Sequence, residues 1–246
     1  MTKHAAPNDI SVQDGLAETL ESITGTLKYM AAAGCKGFEC SPERLNIVKT
    51  LDHLQEEQPA NLEGIQSEVR SCARCGLSVT RTQTVFGEGD RRSRLVFVGE
   101  GPGFEEDKQG RPFVGAAGQL LTRIIQAMGL TREDVYICNI IKCRPPGNRN
   151  PAPEEIDACL PFLKRQLKAI QPEYICALGA VAARTLLQTE TPISRLRGRL
   201  HRFGKINLMP TYHPAYLLRN PDKKRDVWED IQLLMREMGL QPPAQQ

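Results

Sequence analysis

A carboxylate-rich loop, an amide and an imidazole are the groups in this sequence best suited to bind and cleave a planar substrate. Glu100 and Glu106 lie in a glycine-rich stretch, and Asn139 and His213 each stand near the end of a short apolar run. The Asn139 amide offers a hydrogen-bond donor beside an acceptor, which suits the edge of a nucleobase. An imidazole or a carboxylate can stabilise developing charge or move a proton. These residue types predict a base-reading pocket, although asparagine also closes turns, glutamate caps helices and a lone histidine is more often surface or core.

Four of the eight cysteines in this 246-residue chain have the spacing of a metal site. Cys72 and Cys75 form a C-x-x-C pair, which alone is ambiguous between a redox dithiol and a metal clip. Cys143 and Cys159 stand sixteen positions apart around a proline-rich loop, whereas a zinc ribbon normally has a second C-x-x-C pair. Four thiolates suit either zinc or an iron–sulfur cluster. The spacing therefore predicts a metal centre and leaves these two metals open.

Short apolar runs alternate with amphipathic segments, and this alternation would bring the polar groups together. Strands are predicted at residues 95–98, 135–140, 174–178 and 206–210, and helices at about 116–128, 154–170, 180–188 and 222–238. The pattern predicts an α/β fold, a three-layer α/β/α sandwich around a central four-stranded parallel sheet, four strands being the expected minimum. Ligands bind beyond the carboxyl ends of such strands. The glycine- and proline-rich residues 99–118 are therefore predicted to form a long functional loop.

The chain outside this region divides into an N-terminal extension and a short tail. Residues 1–65 are predicted to be a helical extension of unknown role, residues 66–240 the α/β domain, and residues 241–246 the tail. Cys35 and Cys40 are either ordinary thiols in a turn or part of a metal or partner site, so an unknown partner for the extension stays open. The first residues lack the apolar run of a signal peptide, and no stretch is long and apolar enough to cross a membrane. We therefore expect a cytoplasmic protein without a membrane partner. We also expect it to be a monomer.

Basic side chains cluster where a nucleic acid would pass the predicted pocket. The candidates for phosphate contact are Lys142, Arg144, Arg195, Arg197, Arg199 and Arg219. A run of charge is usually a solvated face, and the net charge of +3 is weak evidence for any partner. Arginines that alternate with apolar residues on a glycine-containing turn are better suited to phosphate contacts. We therefore expect DNA to lie against these residues.

The glycine-rich stretch also carries a family resemblance. It resembles the first motif of the iron–sulfur uracil-DNA glycosylases, family 4 of that superfamily, in Gly99-Glu100-Gly101-Pro102-Gly103, in Glu105-Glu106-Asp107 and in Gly110-Arg111-Pro112-Phe113-Val114-Gly115. The segment around His213 is similar to the superfamily's second motif, and the four cysteines match the family's pattern. The resemblance covers about residues 66–240 and implies uracil-containing DNA as substrate and a [4Fe–4S] cluster as cofactor.

The resemblance also implies roles for individual residues. Phe113 would stack on a flipped uracil, Asn139 would read its edge, and His213 would stabilise negative charge on its O2 atom. Gly101 stands where the best-known uracil glycosylases have an aspartate that supports the attacking water. The resemblance therefore assigns that role to no residue of this chain. Gly101 is instead expected to contact the substrate. Glu100, Glu106 and Asp107 are the nearby carboxylates, and Glu106 is the first candidate for orienting water or base.

Two other classes of function compete with a glycosylase. One is a non-catalytic nucleic-acid-binding iron–sulfur module with the same fold. The other is a hydrolase of free nucleotides, in which the glycine-rich loop would cradle phosphate, but the loop lacks the G-x-x-x-x-G-K-[ST] pattern. The preference for single- or double-stranded DNA and the way thymine is excluded, where Gly103 replaces a tyrosine found elsewhere in the superfamily, are open at this point.

Overall fold

The computed structural model describes residues 61–241 and, before them, only Ile23, Tyr29, Met30 and Ala33. The predictions on Cys35 and Cys40 lie outside the described residues. The chain divides into two units, Met1–Gln58 and Pro59–Gln246. The boundary expected at residues 65 and 66 falls inside a helix, Leu62–Ser71, of the second unit. No helix in the described part of the chain is long and apolar enough to span a bilayer.

One mixed sheet runs through the second unit. Its six strands are β1 (Glu88–Gly89), β2 (Leu95–Gly99), β3 (Tyr136–Asn139), β4 (Tyr174–Leu178), β5 (His201–Phe203) and β6 (Ile206–Thr211), in the spatial order β1-β3-β2-β4-β6-β5. Strands β3, β2, β4 and β6 pair in parallel, and β1 and β5 pair antiparallel at the two edges. The sheet therefore has six strands where the sequence predicted four, because edge strands of two and three residues are too short to show a pattern.

Helices cover both faces of this sheet. They are α1 (Leu62–Ser71), α2 (Leu77–Thr80), α3 (Phe104–Gln109), α4 (Ala116–Ala127), α5 (Pro153–Ile170), α6 (Ala180–Leu187), α7 (Ile193–Leu196), α8 (Pro214–Arg219) and α9 (Lys224–Met238). Alternate residues of β2 point to opposite faces, so Val96 and Val98 belong to one hydrophobic core while Leu95 and Phe97 belong to a second. The sheet is thus the middle of three layers.

The stretch predicted to be irregular contains a helix. Helix α3 occupies Phe104–Gln109, between Gly103 and Gly110, and ends where Gly110 adopts a left-handed conformation with φ 70°. Glycine takes this conformation without the steric cost that a Cβ atom brings. The prediction of a loop over residues 99–118 was therefore wrong for these six residues, because six consecutive residues free of glycine and proline are enough for a short helix.

Candidate functional site

An open cavity of about 530 Å³ lies beyond the carboxyl ends of β2, β3 and β6. Its lining includes all six residues predicted for catalysis and substrate binding: Glu100, Gly101, Glu106, Phe113, Asn139 and His213. These residues come from three separate strand ends and are brought together because parallel strands end at the same edge of the sheet. We call this space the base cavity.

Close packing between backbone and side chains shapes the floor of the base cavity. A Cβ atom on Gly99 would lie 2.4 Å from Asn139 Oδ1 and 2.5 Å from Phe113 Cζ, so only glycine allows both side chains to approach. Phe113 is buried and has a φ of 53°, which is uncommon for a residue with a side chain. Its ring centroid lies 5.6 Å from that of His213. The aromatic ring is therefore fixed beside the imidazole before any ligand arrives.

Asn139 lines the base cavity and carries an unmet hydrogen-bond acceptor. The residue is 1% exposed, and its Oδ1 atom is buried without a partner among the described residues. Its backbone carbonyl, in contrast, accepts a hydrogen bond of 2.7 Å from Lys142 Nζ. A buried acceptor without a donor costs about 1–3 kcal/mol. Oδ1 is thus placed to accept an N–H from a bound molecule.

His213 is held as a neutral ring with a defined tautomer. Its Nδ1 atom accepts a hydrogen bond of 3.1 Å from the backbone N–H of Ala215 at the start of α8. Burial, assisted by the charge of Arg219 and opposed by Glu106, lowers the pKa of His213 to about 4. A neutral imidazole whose Nδ1 accepts must carry its proton on Nε2. His213 is therefore a neutral N–H donor near pH 7.

The two candidate carboxylates differ in what they contact. Glu106 Oε1 accepts hydrogen bonds from the backbone N–H groups of Val114 and Gly115, at 2.9 and 3.0 Å. Glu106 therefore holds the segment that follows Phe113. Glu100 also lines the cavity, and burial raises its pKa. Its carboxyl group is thus the better placed of the two to exchange a proton with water.

The four cysteines selected by spacing, Cys72, Cys75, Cys143 and Cys159, line one small second cavity. Among residues 61–241, no group of three or more His, Cys, Asp or Glu side chains has the geometry to hold a single metal ion. Burial raises the pKa of the Cys159 thiol to about 11, so metal binding there would have to release protons. We call this space the cysteine cavity.

Two N–H groups approach sulfur atoms of the cysteine cavity. Arg81 Nη1 donates to Cys143 Sγ, and the backbone N–H of Lys142 donates to Cys159 Sγ, each at 3.3 Å. Hydrogen bonds of this kind to ligating sulfur tune iron–sulfur clusters. Four sulfur donors around one cavity, with N–H groups directed at two of them, fit the cluster that the family resemblance implies.

One of the predicted DNA contacts, Lys142, is buried, so that prediction was wrong, and a second, Arg197, is partly buried and paired within the protein. Lys142 is only 1% exposed, and its ammonium group donates to the Asn139 carbonyl. Arg197 Nε donates to Asp230 Oδ2 at 2.9 Å, and its Nη2 donates to the Asp226 carbonyl. Asp230 compensates the charge of Arg197, whereas Lys142 has only the uncharged Asn139 carbonyl as a partner among the described residues. Lys142 therefore cannot contact a phosphate at the surface, and the guanidinium group of Arg197 is already engaged by Asp226 and Asp230.

The remaining predicted DNA contacts are accessible to a strand of nucleic acid. Arg195, Arg199 and Arg219 are exposed, and Arg219 also lines the base cavity. Arg144 is half-buried, with its guanidinium carbon 5.0 Å from the centroid of the Phe104 ring. Phe104 was missed in the sequence, although it lines the base cavity and is 55% exposed. The available signal was a single aromatic residue in the otherwise polar run that forms α3.

Comparison with known proteins identifies close relatives of this chain. A family model described as "Uracil DNA glycosylase superfamily" matches residues 86–232. A type-4 uracil-DNA glycosylase of Thermotoga maritima is 49% identical over 175 residues, which cover 70% of this chain and 91% of the relative. Another, of Archaeoglobus fulgidus, is 44% identical over 192 residues, or 75% of this chain and 96% of the relative. A type-5 uracil-DNA glycosylase of Pyrobaculum aerophilum is 30% identical over 180 residues, which cover 60% of this chain and 79% of that protein.

Proposed function

Since the chain belongs to the uracil-DNA glycosylase superfamily, we propose that it is a type-4 enzyme that removes uracil from DNA. The reaction breaks the bond between C1′ of deoxyribose and N1 of uracil, adds water to C1′, and leaves an abasic site. The partner is therefore DNA that contains uracil. The second unit, Pro59–Gln246, would carry this activity. The role of the first unit is unknown, and the monomeric state stays a prediction.

The buried, unpartnered Oδ1 atom of Asn139 is the observation that carries this proposal. Uracil presents an N3–H donor beside the O4 acceptor, so the Asn139 amide can pair with both. Cytosine presents an acceptor at N3 and a donor at N4, which reverses the pattern and leaves Oδ1 facing another acceptor. Phe113 forms the adjacent apolar wall, on which the extruded base would stack. The cavity thereby selects uracil over cytosine by the edge of the base.

Departure of the base is assisted by the neutral His213. As the bond between C1′ and N1 breaks, its electron pair passes to uracil and charge develops on O2. The Nε2–H group of His213 donates a hydrogen bond to that oxygen and keeps its proton. A donor that is already in place stabilises the negative charge as it develops. A water molecule adds to the oxocarbenium-like sugar, and Glu100 takes its proton. Glu106 holds the segment after Phe113 during the reaction.

The cysteine cavity would hold the [4Fe–4S] cluster through Cys72, Cys75, Cys143 and Cys159. When bound, the cluster crosslinks segments that are distant in sequence and supplies no redox step to hydrolysis. Arg144, Arg195, Arg199 and Arg219 would contact DNA phosphates around the base cavity. These arginines come from separate segments of the chain, including α7 and α8, which suits a strand that crosses the rim of the cavity.

An oligonucleotide with one labelled end and a single uracil tests the proposal, with cytosine and thymine at that position as controls. Cleavage by hot alkali after incubation reports the abasic site. We expect breakage only at uracil, with a loss of about 100-fold or more in Asn139→Ala and in His213→Ala. Wild-type protein that carries its cluster and binds the strand, yet leaves uracil in place, would support the non-catalytic alternative instead.

A further inference from the structure

Lys142 is a buried cation without a carboxylate partner among the described residues. Its side chain is one of the largest in the protein with almost no exposed surface, at 1%. The hydrogen bond that its Nζ makes within residues 61–241 goes to the Asn139 carbonyl oxygen, which carries no formal charge. A carbonyl dipole alone is weak compensation for a buried ammonium group. An ammonium group at this position therefore needs negative charge from another group.

Sulfur atoms are the ionisable groups that act on Lys142. They belong to Cys138, Cys143 and Cys159, of which the last two line the cysteine cavity with Lys142 itself. The backbone N–H of Lys142 also donates to Cys159 Sγ. As thiols these groups are neutral, but Cys143 and Cys159 would be thiolates as ligands of an iron–sulfur cluster, and a cluster with four thiolate ligands is an anion. A bound cluster would supply the missing negative charge.

We propose that Lys142 is a positioning residue that couples the two cavities: its ammonium group balances the charge of the cluster and at the same time holds the backbone of Asn139. The proposal rests on the proposed function for the role of Asn139 and on the cluster predicted for the cysteine cavity. It explains why a lysine is buried between a metal site and a base-reading residue. It also gives the cluster a structural effect on uracil recognition that requires no electron transfer.

Arg81 offers an internal comparison, since it is another cation that lines the cysteine cavity. Its Nη1 atom donates to Cys143 Sγ, but the residue is only half-buried. Water screens a charge at the surface far more than one in the interior. Removal of the Lys142 charge should therefore change the energy of the cluster more than removal of the Arg81 charge. Only the Lys142 change should also affect Asn139.

The midpoint reduction potential of the cluster, measured by protein-film voltammetry, tests the charge directly. Lys142→Met keeps the length and apolar stem of the side chain, and Lys142→Arg keeps the charge. Lys164→Met is the matched control, because Lys164 is an exposed lysine on α5, the helix that carries Cys159. Reduction adds negative charge to the cluster, so loss of a nearby cation disfavours it. We expect a lower potential in Lys142→Met and a smaller decrease in Arg81→Met, with no change in Lys164→Met.

Iron content and uracil excision complete the test. We expect Lys142→Met to raise KM for a uracil oligonucleotide about tenfold, since Asn139 loses a charged hydrogen-bond donor. Loss of iron or of folding in Lys142→Met alone, with Lys142→Arg intact, also supports a need for charge. A full iron content with an unchanged potential in Lys142→Met would overturn the proposal, as would equal failure of both variants, which would indicate shape alone. The potential does not depend on excision, so this test stands apart from that of the proposed function.

Discussion

The base cavity and the cysteine cavity are built on different principles. Backbone contacts and internal hydrogen bonds fix the base cavity, where Gly99 admits Asn139 and Phe113 and where Glu106 holds the segment after Phe113. The cysteine cavity is lined by thiols such as Cys159, whose pKa burial raises. One site is therefore complete before its ligand binds, and the other reaches its charged form only with metal. Changes in the first should alter chemistry, and changes in the second should alter metal content.

The largest effect is expected from removal of one cysteine ligand. Cys159→Ala should abolish stoichiometric iron binding, since one of the four sulfur donors is lost. Cys176→Ala is the matched control, because Cys176 is a buried thiol within β4 that does not line the cysteine cavity. It should retain iron, with a destabilisation of about 1 kcal/mol from the small void. Iron analysis and visible absorption distinguish the two variants. Equal iron in both would remove Cys159 from the ligand set.

A large loss of activity, without loss of iron, is expected from Gly99→Ala. The added Cβ would force Asn139 or Phe113 to move, since both lie within 2.5 Å of its position. A displacement of about 1 Å in an active site can cost about 100-fold in rate, and we expect a loss of that size in kcat/KM. Gly64→Ala in α1 is the control, because no atom lies within 4 Å of the added Cβ. Full activity in Gly99→Ala would show that the base cavity adapts rather than being fixed.

His213 should make the stability of the protein depend on pH. Its pKa is about 4 in the folded protein and about 6.5 in an unfolded chain, so the unfolded state binds more protons between these values. The neutral ring therefore contributes stability above pH 6.5, and this contribution is lost as the pH falls towards 4, by up to about 3 kcal/mol.

The variant His213→Asn isolates this dependence. Asparagine can still accept the hydrogen bond from Ala215 N at the start of α8, but it does not titrate. The decrease in melting temperature between pH 7 and pH 4 should be smaller in His213→Asn than in the wild type. Parallel decreases in the two proteins would assign the acid sensitivity to other groups.

The sequence predicts the base cavity better than it predicts the positions of charged residues. Asn139 and His213 could be found because strand ends of a parallel sheet converge, which depends only on the order of strands, whereas Phe113 was selected by the family resemblance. Lys142 and Arg197 were misplaced because charge in a sequence does not reveal burial. Their partners, the Asn139 carbonyl and Asp230, become visible only when the chain is folded. Local pattern thus locates a pocket, whereas compensation of charge depends on tertiary contacts.

The smallest effect on function is expected from Arg199, which is exposed and would contact phosphate. Arg197, two residues earlier, instead pairs with the buried Asp230. Arg199 is exposed, so Arg199→Ala should weaken DNA binding less than tenfold and reduce the salt dependence of log K by about 0.7–0.9 if one phosphate contact is lost. Arg197→Ala should instead lower stability by about 3–5 kcal/mol, since it leaves Asp230 buried without its cation. Binding titrations at several salt concentrations, together with thermal unfolding, measure both changes. A lower melting temperature in Arg199→Ala, or an altered salt slope in a folded Arg197→Ala protein, would contradict this division between a surface that binds phosphate and an interior that balances charge.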